Sequence, residues 1–453
     1  MHLPILMHIG RFDEGISMTK KIYQITEYGS FIADKQVDGY TTLPSTVFEQ
    51  LENFILSNRF VDTSKNTEPC ELMGISIKKG LGKVITAKNY IGVLSLKDGT
   101  TVEILPKISS KMPQKEQRIK KLVVDMIKTC TELSYKSFQF ATVDIEKMDL
   151  FELFIRMFLD EAFLLIKKGR KGGYETVTAN DCSFKGKLLF SEQIRHNLTH
   201  KERAFVAFDE FTANCPENRL IKSTLLYLYK QTNSFRNKTD LKTLLTIFDD
   251  VSESASFSSD FSKVTASRNS KEYMTLLLWS RIFLSGKSFT SFAGSEVAFA
   301  LLFPMETLFE RYVATQLKKM LNTDDFSVSI QDTTYHLFTL PTKKFLLKPD
   351  IVIRRKSDNA VFICDTKWKL LSNEKQGYGI SQSDMYQMYA YQKKYNARTV
   401  TLLYPQTDQL ADEKIVYDSG DGVVVQVQFV DLFDIKNSLN TITKEFTYSS
   451  NSL

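Results

Sequence analysis

Apolar and polar residues alternate in short runs over the first quarter of the chain, and this period of two predicts strands. A Ser-Thr cap region followed by apolar residues at helical spacing predicts one short helix at 43–56. We therefore expect a small β-rich module over residues 18–110, with a structural or docking role because it contains no catalytic set of residues. The predicted strands are 21–26, 30–33, 73–77, 83–87, 91–96 and 101–105.

Apolar residues at helical spacing dominate the next part of the chain, and we expect a mainly helical middle region over residues 111–290. The helix predicted at 148–168 is apolar almost all round, which is typical of a helix buried on every side. The predicted helices are 118–131, 148–168, 218–232 and 272–284.

Both periods occur in the last third, residues 291–453, and predict an α/β domain. A β-hairpin is predicted from an apolar arm at 345–353, turn residues at 356–359 and a second arm at 360–367. Helices are predicted at 305–313 and 383–392, the latter capped by Ser383 or Asp384, and further strands at 399–404 and 423–430. The fold class is therefore α+β and multidomain.

Composition narrows the function classes only slightly. The 453 residues carry 59 basic and 53 acidic side chains, and this net charge of +6 permits nucleic-acid contact without requiring it. The five cysteines have no paired Cys-x-x-Cys spacing, so we expect a reducing cytoplasm and neither a disulfide framework nor a structural zinc site. No apolar run reaches membrane-span length, and the first 17 residues resemble an extension more than a signal peptide.

The hairpin carries the candidate chemistry. Period-two alternation puts Asp365 and Lys367 on one face at the end of the second arm, and Asp350 on the first arm can approach the same point. Two converging carboxylates repel each other unless a cation lies between them, and such oxygen ligands suit Mg²⁺. A metal there, with a lysine beside it, is the arrangement needed to hydrolyse a phosphodiester. The alternative is a hairpin with solvated charges at its tips.

Asp-x-Lys alone is a weak signal, because it also occurs at Asp240, Asp412 and Asp434 in polar or helix-like surroundings. Only the copy at Asp365 ends a hydrophobic strand. On the helix that follows, Gln387 and Tyr391 share a face and could contact a metal-bound water or a DNA phosphate. The alternative is that this tyrosine-rich helix only packs on the sheet.

These residues together resemble the PD-(D/E)XK nucleases, in the branch whose later helix carries Gln-x-x-x-Tyr. The resemblance implies a restriction-endonuclease-like domain in which Asp350 and Asp365 bind Mg²⁺ and Lys367 orients the attacking water. It also implies metal contacts from Glu310, on the preceding helix, and from the backbone carbonyl of Thr366. Gln387 and Tyr391 would then position water or phosphate. For Glu310, the residues alone leave open an ordinary solvated glutamate.

More narrowly, the chain resembles the McrC family, the nuclease subunits of McrBC-type restriction systems. The similar blocks include Leu-Phe-Glu-Arg-Tyr-Val, Lys-Pro-Asp-Ile, Asp-Thr-Lys-Trp-Lys and, upstream, Val-Glu-Ile-Leu-Pro-Lys-Ile. This resemblance implies double-stranded DNA as substrate and an McrB-like AAA+ GTPase ring as partner, engaged and stimulated by the N-terminal part. The partner is needed for energy-coupled action because the chain has no recognisable nucleotide-binding motif.

Two alternatives remain open on the sequence. One is a self-sufficient nuclease with its own DNA-binding domain, against which the mild net charge counts. The other is a non-catalytic assembly factor with a nuclease-like scaffold, against which the complete set of Asp350, Asp365 and Lys367 counts.

Overall fold

The computed structural model describes residues 21–58, 72–96, 100–108, 115–130, 149–264, 271–285, 297–407, 410 and 415–447. The predicted N-terminal extension and the predicted domain boundaries near 18, 110 and 290 lie outside these residues. The domain boundaries therefore stay a prediction.

The first part is β-rich, as predicted, and forms parts of two sheets. One sheet has the strand order β3-β2-β5-β4 and packs on α1, while β1, β7 and β6 belong to a second sheet. The predicted strands and helix are confirmed to within two residues at their ends, and the short strand β3 is additional. The elements are β1 (Ile22–Thr26), β2 (Ser30–Ala33), β3 (Thr41–Leu43), α1 (Ser45–Asn58), β4 (Met73–Lys78), β5 (Gly82–Ala87), β6 (Tyr90–Leu96) and β7 (Thr101–Leu105).

The middle part contains the four predicted helices, now α2, α3, α5 and α8, and several elements that the sequence did not predict. The elements are α2 (Lys115–Cys130), α3 (Leu150–Lys168), β8 (Gly173–Asp181), β9 (Lys187–Leu188), α4 (Phe190–Asn197), β10 (Ala204–Thr212), α5 (Pro216–Gln231), α6 (Phe235–Ile247), α7 (Phe257–Lys263) and α8 (Lys271–Ser285). Helix α3 is buried along most of its length, as its apolar circumference predicts, and each buried leucine or phenylalanine contributes roughly 2 kcal/mol to folding.

The middle part is mainly helical, but an arm made of β8, β9, α4 and β10 (residues 173–212) adds strands that the sequence did not predict. Its strands form an antiparallel sheet in the order β8-β10-β9. The sheet has no continuous buried face, since β8 is exposed or partly exposed along its whole length, and this explains why a hydrophobic pattern did not reveal it. The arm carries several exposed large apolar side chains: Tyr174, Phe184, Phe190, Ile194, Leu198 and Phe211.

The last part is built on a six-stranded sheet in the order β12-β15-β16-β17-β19-β18. Strands β16, β17 and β19 run parallel, and the other pairings are antiparallel. Helices α9 and α11 cover one face of the sheet and α10 covers the other. The elements are β11 (Val297–Pro304), α9 (Met305–Leu321), β12 (Phe326–Ile330), β13 (His336–Phe338), β14 (Lys344–Leu346), β15 (Ile351–Arg355), β16 (Val361–Thr366), α10 (Gln382–Tyr395), β17 (Thr399–Pro405), β18 (Ile415–Asp418), β19 (Val424–Val430) and α11 (Ile435–Thr447).

The predicted hairpin forms, but its first arm is shorter than expected. Residues 345–353 do not make one strand, because β14 pairs with β13 in a separate two-stranded sheet and only β15 pairs with β16. The chain leaves the strand conformation between them, and Asp350 comes immediately before β15. The site therefore lies at a strand end, where side chains are open to approach.

The first and last parts are joined through one sheet, since β11 pairs antiparallel with β6. Gly92 permits this pairing: a Cβ atom at that position would lie 2.0 Å from the carbonyl oxygen of Leu301. The amide of Met305, the first residue of α9, donates a hydrogen bond to the carbonyl of Asn89 (2.9 Å). The start of the helix that carries Glu310 is thus fixed by the N-terminal part.

Among the described residues, no helix is both long and apolar enough to cross a membrane.

Candidate active site

The strand register brings the two predicted aspartates together. Ile351 pairs with Cys364, so Asp350 and Asp365 come opposite each other at the end of the β15–β16 pair. Both the backbone N–H and the hydroxyl of Thr366 donate to Asp350 Oδ2, each at 2.7 Å. These bonds fix the partly buried Asp350 carboxylate beside the end of β16.

Asp365 is almost completely enclosed, with 1% of its surface exposed. Burial, and then the negative charge of Asp350, raise the pKa of Asp365 to about 7, against a lowering effect of Lys367. Its Oδ2 atom lies 2.7 Å from Lys367 Nζ, in an ion pair, yet no donor is aligned with it in a hydrogen bond. The Asp365 Oδ2 atom thus has an ion pair with Lys367 but no hydrogen bond.

Lys367 connects the carboxylates to helix α10. Its ammonium group donates to Gln387 Oε1 (3.2 Å) and lies 3.9 Å from Asp384 Oδ1. Burial lowers the pKa of Lys367, but the charges of Asp365, Asp384 and Asp350 outweigh burial and raise it. Lys367 therefore keeps its positive charge at neutral pH, and an ammonium group of this kind can stabilise negative charge on a bound phosphate.

The predicted pair on α10 lies behind the lysine. The Gln387 amide donates to the hydroxyl of Tyr391 at 2.7 Å, and Tyr391 is buried, which raises the pKa of its phenol. Gln387 contacts Lys367 directly, whereas Tyr391 acts through Gln387. Tyr391 also packs on the sheet with Met388 and Tyr395, so the packing alternative holds for this residue as well.

Glu310 lies on α9 at the edge of the same group. Burial and the nearby charge of Asp350 raise the pKa of Glu310, and Gln331 donates a hydrogen bond to its carboxylate. It is therefore not the fully solvated glutamate that the sequence left open.

These side chains border a cleft of about 700 Å³. Asp350, Thr366, Lys367 and Glu310 line it, whereas the enclosed Asp365 does not and lies behind Lys367, with which it forms an ion pair. The other lining residues are Glu27, Tyr28, Lys107, Glu306, Trp368, Lys369, Leu370, Lys375, Ser381 and Asp384.

Sequence reasoning did not place the other lining side chains in the site, among them Asp384, Glu27 and Trp368. Asp384 was predicted as a helix cap, but Ser381 caps α10 by accepting from the amide of Asp384. The Asp384 carboxylate points towards Lys367 instead. Its helical spacing from Gln387 and Tyr391 was a signal that could have found it.

The donor chemistry of this group fits a hard divalent cation. The negative charge of Asp350 makes Asp365 harder to ionise, and Asp365 Oδ2 is buried without a hydrogen bond. Within the described residues, no three His, Cys, Asp or Glu side chains lie close enough together to hold a metal ion between them. Mg²⁺ does not require such a cage, because it usually keeps several waters and binds through one or two carboxylates.

The raised pKa of Asp365 predicts a pH dependence of stability. Between pH 3.8 and about 7 the folded chain holds a proton that the unfolded chain has released. Stability of the metal-free protein should therefore fall as the pH rises through this window. Denaturant unfolding in EDTA at several pH values is expected to show a steeper fall for the wild type than for the Asp365→Asn variant. Equal slopes would contradict the assignment.

Comparisons with known proteins gave matches both to a sequence family and to solved structures. The sequence model of the family described as McrBC 5-methylcytosine restriction system component matches residues 85–405, more than half of the chain. No curated protein sequence matches the chain significantly.

Among solved structures, the chain is similar to one in a half-complex from a tetradecameric assembly of Thermococcus gammatolerans McrB AAA+ hexamers with bound McrC. The TM-score is 0.66 at 18% identity, and the match covers 93% of this chain and 100% of that one. A chain of the cryo-EM structure of the Thermococcus gammatolerans McrBC complex matches with a TM-score of 0.46 at 18% identity, over 66% and 87% of the two chains. The first likeness shows a shared fold over nearly the whole length.

Proposed function

Since this protein belongs to the McrBC 5-methylcytosine restriction system component family, we propose that it is the DNA-cleaving subunit of such a complex. Its substrate is double-stranded DNA containing modified cytosine, and the bond it hydrolyses is the phosphodiester. The catalytic domain is of the PD-(D/E)XK type and uses Mg²⁺. It acts with an AAA+ partner that hydrolyses GTP.

One observation carries the catalytic part of the proposal: Asp350, Asp365 and Lys367 converge at one strand end beside an open cleft. Asp365 Oδ2 is buried with an ion pair to Lys367 but no hydrogen bond, and because burying a carboxylate is costly unless it is both paired and hydrogen-bonded, a purely structural hairpin has little need of one there. Strongly shifted carboxyl pKa values in a cleft are typical of functional sites.

The proposed roles follow from these contacts. Asp350 and Asp365, helped by Glu310 and the carbonyl of Thr366, would hold Mg²⁺, which supplies Lewis-acid activation of a phosphate oxygen and of a water. Lys367 carries the positive charge that stabilises the charge developing on the phosphate. Gln387 fixes the ammonium group of Lys367, and Tyr391 fixes Gln387.

The partner assignment is supported by the fold shared with the Thermococcus gammatolerans complex, in which McrC is bound to McrB AAA+ hexamers. We propose that this chain binds a ring of the same kind and stimulates its GTPase. The predicted docking module, residues 18–110, exposes Ile77 at the end of β4, but the arm at 173–212 exposes more large apolar side chains. Exposed apolar patches of that kind mark interaction sites, so both surfaces are candidates for the ring contact.

Reconstitution tests the proposed function. The purified chain, mixed with the AAA+ partner from the same cell, is expected to cut DNA containing 5-methylcytosine only when both GTP and Mg²⁺ are present. It is also expected to raise the partner's GTPase rate. Gel assays of DNA cleavage and phosphate release measure the two activities, with unmodified DNA as the matched control.

Two results would favour the alternatives. Cleavage by the chain without partner or GTP would favour a self-sufficient nuclease. Normal cleavage by a complex containing the Asp365→Ala variant would favour an assembly factor whose nuclease-like site is not used.

A further inference from the structure

Trp368 connects the candidate nuclease site to the N-terminal part of the chain. Its indole N–H donates to Glu27 Oε1 at 2.8 Å, across 341 positions of sequence. Its ring also packs against Phe309, at 5.3 Å between ring centroids. Trp368 directly follows Lys367, and Phe309 directly precedes Glu310. One indole group therefore touches a residue of the N-terminal part and a neighbour of a site residue on α9.

Glu27 is held rigidly for this contact. It follows β1 and is 1% exposed, its amide donates to the carbonyl of Leu105 (2.8 Å), and its Oε1 also accepts from the amide of Lys107 (2.9 Å). Its Oε2 atom is buried without a hydrogen bond. A buried carboxylate that leaves one oxygen unsatisfied is costly, and simple packing does not require one at this position.

The contact between Trp368 and Glu27 lies just beyond the end of β16, where the hydrogen bonds to neighbouring strands stop. Strand β16 ends at Thr366, and the last sheet bond in this region runs from the amide of Lys367 to the carbonyl of Leu403 (2.9 Å). From Trp368 onward the chain turns away from β16, so the direction of Lys367 depends on how the next residue is held. A catalytic group displaced by about 1 Å can lose a factor of about 100 in rate.

We propose that Glu27 is a positioning residue of the nuclease site, which orients Lys367 and Glu310 by holding Trp368. This inference rests on the proposed nuclease function and adds to it a physical link between the N-terminal part and the catalytic geometry. Any movement of β1 against β7 shifts the acceptor that holds the indole. The N-terminal part can thereby adjust the cleavage rate without contributing a side chain to the chemistry.

Four single variants and one double variant in the reconstituted complex test the link. Glu27→Ala removes the acceptor, Glu27→Gln keeps an acceptor oxygen, and Trp368→Phe keeps a ring against Phe309 but removes the donor. The matched control is Glu217→Gln, a buried carboxylate in the first turn of α5 that pairs with Lys171 at 2.6 Å. Each variant is assayed for kcat and KM on DNA, together with hydrogen–deuterium exchange of a peptide covering 361–371.

We expect Glu27→Ala and Trp368→Phe each to lower kcat about tenfold while KM for DNA changes by less than about twofold. Glu27→Gln should restore most of the rate, and the double variant Glu27→Ala/Trp368→Phe should be no slower than the slower single variant. Exchange in 361–371 should quicken in Glu27→Ala and stay unchanged in Glu217→Gln.

Multiplying effects in the double variant, or an unchanged kcat with unchanged exchange, would overturn the proposal. If Glu27→Ala does not fold, the comparison of Trp368→Phe with wild type decides in the same way. A wild-type complex that never cuts DNA would refute the nuclease function instead, and the exchange measurement would still decide whether Glu27 orders the end of β16.

Discussion

Replacing Asp365 with asparagine is expected to reduce DNA cleavage by about 10³-fold or more, because the variant loses one of the two carboxylates proposed to bind Mg²⁺. The protein should remain folded, since the substitution removes a buried carboxyl group whose pKa is raised by its surroundings. Its melting temperature in EDTA at pH 8 should therefore equal or exceed that of the wild type. Cleavage assays across a Mg²⁺ titration and thermal unfolding measure the two effects.

Asp434 provides a matched control, because it is exposed and heads another Asp-x-Lys sequence directly before α11. Asparagine suits a helix start as well as aspartate does, so Asp434→Asn should cut DNA at the wild-type rate. Cleavage by Asp365→Asn within about tenfold of wild type would rule out a ligand role for Asp365.

Replacing Lys367 with methionine is expected to lower kcat by about 10²–10³-fold, because the site loses the positive charge that stabilises the transition state. Metal affinity should respond differently. The ammonium group lies 2.7 Å from Asp365 Oδ2 and competes with a cation for that carboxylate. The Mg²⁺ concentration for half-maximal cleavage should therefore stay the same or fall.

The two variants therefore distinguish the proposed metal binding by Asp365 from the proposed charge stabilisation by Lys367. Asp365→Asn should weaken the response to Mg²⁺, whereas Lys367→Met should reduce the rate at saturating Mg²⁺. Lys436→Met, in the Asp-x-Lys sequence of α11, is the control that should change neither. A large rise in the Mg²⁺ requirement of Lys367→Met would contradict the proposed division of roles.

Local sequence pattern was sufficient to predict the centre of the site. Alternation fixes which side chains of a strand share a face, so the neighbourhood of Asp365 and Lys367 follows from the residues of β16 alone. A short turn fixes the register of the hairpin, and this places Asp350 opposite. The catalytic and metal-binding roles of these residues stay a prediction.

Features formed by distant segments could not be predicted in this way. The hydrogen bond between Glu27 and Trp368 depends on how two sheets are joined, which leaves no mark in the residues near either partner. The arm at 173–212 was missed because its strands bury too little apolar surface to show a clear period. The predicted cap at Ser383 or Asp384 was wrong because α10 begins earlier, where the side chain of Ser381 accepts from the amide of Asp384.

The pairing of β11 with β6 means that the last part of the chain depends on the N-terminal part for its stability. A fragment severed near residue 290 would keep β11 but lose its neighbour strand, and Leu301 and Phe303, at most 3% exposed in the intact chain, would face water. That loss of burial costs roughly 4 kcal/mol, which is a large share of the stability of an ordinary domain. Proteolysis of the N-terminal part would thus destabilise the proposed nuclease domain rather than release it in a stable form.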